Sequence, residues 1–409
     1  MRAKPIALLV ATCCFPSLVS AGNLVIESWR EDGKIWNETI IPAFNAKHPG
    51  ITVTYKHTPA TDYNTALNER LAAGNAGDII TCRPFDDSLK LYQENNLVDL
   101  TDIDGMENFP SFAQSAWQTD DGSVTFCLPL ASVIHGFFYN KSIFKELGIT
   151  PPTTNEEFYA ALSKVKASGK YTPLAMGTND KWEAATMGFQ NIGPNYWQGE
   201  DGRFALLSGD GKLTNSEYVD VFNQLAMWGQ YMGDGYQTRT YNDAIAMFGG
   251  GNAAVYPAGS WDILAFKDKI DLGVFRPTVA NKGDDCFISD HTDIGIGINA
   301  KSSNPEDAKT LIQWMASEEF AELFTNALPG FFSLSNHFIE VEDPTAKEML
   351  AWRDTCDSTI RNSYQILNRG TPSLELEIWE TSVGVINGTM SPQDATSRLQ
   401  TGLDGWYKP

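Results

Sequence analysis

NLVIESWREDGKIWNETIIPAFNAKHPGITVTYKH, residues 23–57, reads as strand, helix, strand. Leu24 to Ser28 is a short apolar run of the kind a sheet buries. Lys34 to Lys47 predicts a helix halted at His48-Pro49-Gly50. Ile51 to Lys56 alternates like a strand. The pattern then repeats. In Asp62 to Ala73, the side chains of Tyr63, Ala66, Leu67 and Leu71 share one helical face, and Gly74 ends it. Asp78 to Thr81 predicts another strand, followed by a helix running to Asn95-Asn96. This alternation predicts an α/β fold with a mostly parallel sheet flanked by helices.

The same grammar resumes downstream. Thr154-Asn155-Glu156-Glu157 is a capping box ahead of Phe158, Leu162 and Val165, and Gly169 closes that helix. Asn304-Pro305 opens another helix, with Ala308, Leu311, Ile312 and Met315 on its apolar side, and Asp293 to Asn299, DIGIGIN, reads as the strand feeding it. Gly249-Gly250-Gly251 follows a helix instead of preceding one and lacks a Lys-Ser/Thr partner, so it predicts a C-cap, not a phosphate cradle. A strand, Ala253 to Tyr256, and a Pro-Ala-Gly turn come next. No repeat or linker divides the chain, so two domains would be intertwined through crossovers.

Composition narrows the function. The 409 residues are enough for roughly two to three core-bearing units. A formal charge of −21 without a basic run argues against nucleic acid. Arg2 and Lys4, the apolar stretch Ile6 to Val19 and Val19-Ser20-Ala21 form a leader cleaved after Ala21, which predicts export. Beyond it lie Cys82, Cys127, Cys286 and Cys356. They are buried thiols or one or two bridges, and Cys82–Cys127 with Cys286–Cys356 is the pairing expected if bridges form. No HExxH or close His–carboxylate cluster occurs, so neither metal nor cofactor is expected.

The 11 Trp carry the strongest hint of a ligand. Trp36 and Trp314 lie within helices and are assigned to core. Trp29, Trp182 and Trp261 fall where strands or turns meet polar residues. A sugar offers a weakly apolar C–H face and a rim of hydroxyls, which aromatic rings and carboxylate, carboxamide or guanidinium groups match respectively.

LVIESWRED, LNERLAAGNAGDIITC, TFCLPLASVIHGFFYNKSIFKELGITPPTTNEEF and MFGGGNAAVYPAGSWDI occur in that order. In this the chain resembles the family-1 extracellular solute-binding proteins of bacterial ABC importers, the group that includes maltose-binding proteins. The resemblance implies a two-lobed periplasmic fold with hinge crossovers: residues 22–133 plus 297–328 in the first lobe and 134–296 plus 329–409 in the second. It implies a monomer that takes a carbohydrate into the interlobe cleft and passes it to the membrane permease. By the same resemblance the cleft receives Trp29, Arg30, Glu31, Asp32, Arg83, Asp86, Ser132 and His135 from the first half. Asp180, Trp182, Glu183, Gly259, Trp261, His291, Asp293, Gly330, Phe331 and Trp379 follow. Side chains in several of these loops differ from those of maltose-type members.

Two other classes compete. The same fold could carry a polyamine, metal or organic acid, which would want a carboxylate cage or Tyr/His ligands. A secreted glycoside hydrolase would need two carboxylates roughly 5–10 Å apart, a test that 51 acidic residues cannot fail on paper. Trp-rich turns with mixed polar groups favour the sugar carrier.

Overall fold

The computed structural model describes residues 22–409; the leader expected at residues 1–21 lies outside them. Ten strands follow in chain order: β1 Gly22–Ser28, β2 Ile51–His57, β3 Ile79–Cys82, β4 Leu128–Asn140, β5 Thr172–Leu174, β6 Ala253–Gly259, β7 Leu272–Phe275, β8 Phe287–Ile298, β9 Phe332–Ser333 and β10 Asp357–Thr359. The main path through them is β2-β1-β3-β8-β4-β6-β5. β2-β1-β3 and β5-β6 are parallel, as helix crossovers require. β4 and β8 instead pair antiparallel with each other and with most neighbours. The sheet is therefore mixed, and only its outer parts match the mostly parallel expectation.

Local chemistry accounts for most helices. Thr154 and Glu157 form the reciprocal capping box at Asn155–Ser168, and Gly169 ends it at φ +65°. Gly74 closes Tyr63–Ala73 in the same left-handed geometry. The first helical run departs from the regular helix: a π-turn, Trp36–Ile40, sits immediately before Ile41–Lys47, with the Ile41 N–H bonded back to the Trp36 carbonyl. Pro42 lacks an N–H and its ring crowds the carbonyl four residues earlier, which the wider turn relieves.

Pro257-Ala258-Gly259 is strand, correcting the expected turn. β5 ends opposite Val255, so Pro257 lies where that flank of β6 carries no strand partner. In DIGIGIN the glycines make room. A Cβ at Gly295 would stand 2.5 Å from the Trp117 indole, and one at Gly297 within 3.0 Å of both Cys127 and Cys82 sulfurs. Those sulfurs are joined, as are Cys286 and Cys356.

The buried side chains form one core around Leu24, Ile80, Trp117, Val133, Ile294 and Phe331. Two adjoining cores lie around Phe137, Leu162 and Trp228, and around Ile134, Tyr256 and Ile288. The change of core falls between Val133 and Ile134 on β4, between Ile288 and Ile294 on β8, and between Leu334 and Val341, with Phe332 of β9 reaching from the first half into the third core. The chain thus crosses between two packed halves three times. Between Ile134 and His135, β4 also exchanges its partner, from β8 to β6.

Candidate functional site

That exchange is a topological switch point, where open sheets present their ligand crevices. On the first side, β1 delivers Trp29, whose buried ring meets Tyr63 edge-on at 5.4 Å. β3 ends one residue before Arg83, and the Arg83 guanidinium lies 4.4 Å above the Trp29 ring. Arg83 is steered there by donating to Asn64 Oδ1 at 3.1 Å and to the Ala60 carbonyl at 3.0 Å. Arg30 donates through Nε and Nη2 to Asp32 at 2.8 and 3.0 Å and stacks 4.6 Å over Phe331. Burial opposes its charge, yet Asp32 and Asp293 outweigh burial and keep it protonated.

Asp293, on β8, faces this group. Burial pushes its carboxyl up, while Arg30, Arg361 and Arg83 pull it down through space. On the second side, Arg361 stands 3.7 Å from Glu375 and 5.2 Å from the Tyr364 ring, and its buried Nε has no partner. Tyr364 packs 5.0 Å from Phe85 across the divide. Trp261 is half-buried and touches both sides' cores. Its Nε1 donates to the Tyr241 hydroxyl at 3.2 Å. Tyr241 in turn donates to Asp262, which also accepts from Tyr256 at 2.9 Å. Burial pushes Asp262 up to about 6 despite these two donors. Trp182 meets Tyr241 edge-on at 4.9 Å.

Beneath Trp261 lies a histidine pair. His135 pairs with Gly259 across β4 and β6, and its ring stands edge-on to Trp261 at 5.2 Å. Its Nε2 is 3.0 Å from His291 Nε2. Gly259 has to be glycine, since a Cβ there would come within 2.1 Å of the Trp261 ring.

Trp29, Arg30, Asp32, Arg83, Trp182, Trp261, Asp293 and Phe331 therefore come together where the two halves meet, with the histidine pair behind Trp261. The remaining expected residues stand apart from this group. Glu31 is exposed. Asp86 pairs with Arg369, and Ser132 accepts from Arg353 at 2.8 Å. Asp180 accepts the Tyr241 N–H at 2.8 Å at a helix start. Glu183 is fully buried, neither carboxyl oxygen has a hydrogen-bond partner, and burial raises its pKa well above the usual carboxylate range. Gly330 sits in a tight turn against Ser260, and Trp379 donates to Glu375 at 3.1 Å behind Arg361. Trp36 and Trp314 are core.

Sequence reasoning missed Tyr241, Asp262, Arg361 and Tyr364. Asp262 follows Trp261 in a stretch already quoted, and Tyr241 sits beside the Thr240 cap of the helix that the three glycines close. Arg361 and Tyr364 lie in an irregular segment with no motif. Among the described residues no group of three or more His, Cys, Asp or Glu could hold a metal ion.

A multiple sugar-binding protein of Streptococcus mutans is 26% identical over 294 residues, 68% of this chain and 67% of its own. Among solved structures, the bacterial solute receptor AcbH, described as preferring β-D-galactopyranose, superposes with TM-score 0.82 at 18% identity, covering 95% of this chain and 100% of its own. The binding protein RafE in complex with raffinose superposes at 0.77 and 19% identity, over 94% and 99%. These likenesses establish the two-lobed fold. The sequence profile of the bacterial extracellular solute-binding proteins matches residues 27–322, and the chain belongs to that family.

Proposed function

We propose that this chain is the exported binding component of an ABC importer, acting without catalysis. It takes an uncharged sugar between two lobes, one packed on the first core and the other on the two adjoining cores. It works as a periplasmic monomer, with the leader removed after Ala21. The bound sugar passes unaltered to the membrane permease.

One observation carries the reading: Asp293 lies within reach of the charges of Arg30, Arg361 and Arg83, and two aromatic rings stand at the same junction, Trp29 under the Arg83 guanidinium and Trp261 packed on the cores of both halves. Charged donors and acceptors of both signs suit hydroxyls, which donate and accept at once. The charges are already matched, since Arg30 holds Asp32 and Arg361 approaches Glu375. An anionic ligand would meet the Asp293 carboxylate, and a polycation would meet three guanidinium groups. The sugar ligands named for the S. mutans relative and for RafE support the same class.

A thermal-shift screen over mono-, di- and trisaccharides, sugar acids, polyamines and divalent metals tests it. An uncharged saccharide should raise the unfolding temperature, because ligand bound only by the native state stabilises by mass action. Stabilisation by a polyamine or a metal alone would overturn it. Recovery of cleaved sugar after incubation would restore the hydrolase reading.

A further inference from the structure

Among the ion pairs of the described residues, those of Arg369 join the two halves. Its Nε donates to Asp86 at 2.6 Å, and Nη1 and Nη2 donate to Asp120 at 2.9 and 2.7 Å. Asp86 opens the helix Asp86–Gln93, next to Phe85 in the first core. Asp120 lies in the turn closed by the Gly122 N–H on the Thr119 carbonyl. Arg369 itself extends from the short helix Gln365–Asn368, anchored through Leu367 in a core of the second half. Arg353–Asp290, Lys267–Asp343 and Lys181–Glu380, by contrast, each join segments of that second half.

The same segment carries Arg361 and Tyr364 into the crevice, and Tyr364 packs on Phe85, the neighbour of Asp86. The crevice contacts and the ion pair therefore share one short strap. Both halves of so acidic a chain repel, and Asp86 and Asp120 set two carboxylates of the first half side by side where Arg369 reaches them. A fork donating twice to one carboxylate and once to the other relieves it only while the halves touch.

We propose that Arg369 is an ionic latch between the lobes. It is a positioning residue that stabilises the ligand-embracing arrangement and sets Arg361 and Tyr364 against the bound sugar. The affinity arm of the test rests on the sugar reading above; the cross-linking arm does not.

In the first arm, calorimetry with a saccharide found by the thermal screen compares the wild type, Arg369→Gln, Asp120→Asn and the double variant at low and high salt. Arg369→Gln should weaken binding about fivefold at low salt, the size expected of a part-exposed charge pair. It should also flatten the salt dependence of affinity and leave the ligand-free unfolding temperature unchanged. The double variant should equal Arg369→Gln, since one interaction cannot be lost twice. Wild-type affinity and salt dependence in Arg369→Gln, or additive losses, would overturn the latch. In the second arm, Arg369→Cys with Asp120→Cys is treated with a short bis-maleimide without sugar and with it. An intramolecular cross-link is expected, formed faster with sugar. No cross-link under either condition would overturn the latch. A cross-link in a protein that no saccharide stabilises would sink the sugar reading and leave the latch standing.

Discussion

Nε2 of His135 stands 3.0 Å from Nε2 of His291, at the point where β4 passes between the halves. Each Nδ1 faces a carbonyl, Thr186 at 3.1 Å for His135 and Thr292 at 2.8 Å for His291. Carbonyls only accept, so both Nδ1 atoms need a proton, and the contact between the rings needs a third. Two neutral imidazoles hold only two.

A third proton would complete the network, but burial and the Arg361 guanidinium push both histidines well below their ordinary value. The unfolded chain therefore takes up protons first. The pair's stabilisation is fully present above an imidazole pKa of about 6.5 and is lost as pH falls through the lower folded-state values. Unfolding temperature followed from pH 7 to pH 5 should drop less in His291→Gln than in the wild type. Parallel curves would refute the neutral buried pair.

Much of the fold was legible because its signals are local. The apolar run of β1, the Thr154 box and the glycine stops at Gly74 and Gly169 each act within a few residues. The antiparallel entry of β8 was not legible, because direction depends on which strand lies alongside, here β3 and β4. Site residues followed the same division. Trp29 and Trp261 announce themselves at strand ends. Arg361 and Tyr364 acquire meaning only when an irregular segment folds back onto Phe85, and Asp86 looked like a ligand group because its partner lies 283 residues away.

Trp261 is held by two perpendicular constraints, the Tyr241 hydroxyl at its Nε1 and the His135 ring against its face. Trp261→Ala removes the stacking surface and should weaken sugar binding at least about tenfold. Tyr241→Phe leaves the ring but frees its orientation, which should cost about fivefold, near 1 kcal/mol. Calorimetry on both variants checks the order. Equal affinity of Trp261→Ala and wild type would remove Trp261 from the site.

Gly330 and Gly388 separate two costs of a side chain at positive φ. Both occupy the left-handed half of backbone space, at φ +97° and +69°. A Cβ at Gly330 would stand 1.9 Å from the Ser260 carbonyl oxygen, whereas one at Gly388 meets nothing within 4 Å. Ser260 receives the Ile134 N–H at 3.0 Å and donates to the Gly330 carbonyl, so the Gly330 clash strikes the crossing itself. Gly388→Ala should cost roughly 1 kcal/mol from backbone strain alone. Gly330→Ala should cost roughly 2–4 kcal/mol, because overpacking adds to that strain. Urea denaturation compares them, and equal losses would mean the turn yields without disturbing Ser260.

The two disulfides close loops of 45 and 70 residues, and the chain-entropy relation assigns each about 4 kcal/mol. Their accessibility differs more than their entropy. Cys82 and Cys127 are fully buried beneath Gly297, while Cys286 and Cys356 are each 6% exposed. Thiol exchange needs an attacking thiolate to reach a sulfur. A thiol reductant applied to the native protein should therefore open Cys286–Cys356 first and reach Cys82–Cys127 only on unfolding. Timed alkylation and peptide mass spectrometry read the order. Early labelling of Cys82 would show that the first core opens locally, at odds with the packing of β3 between β1 and β8.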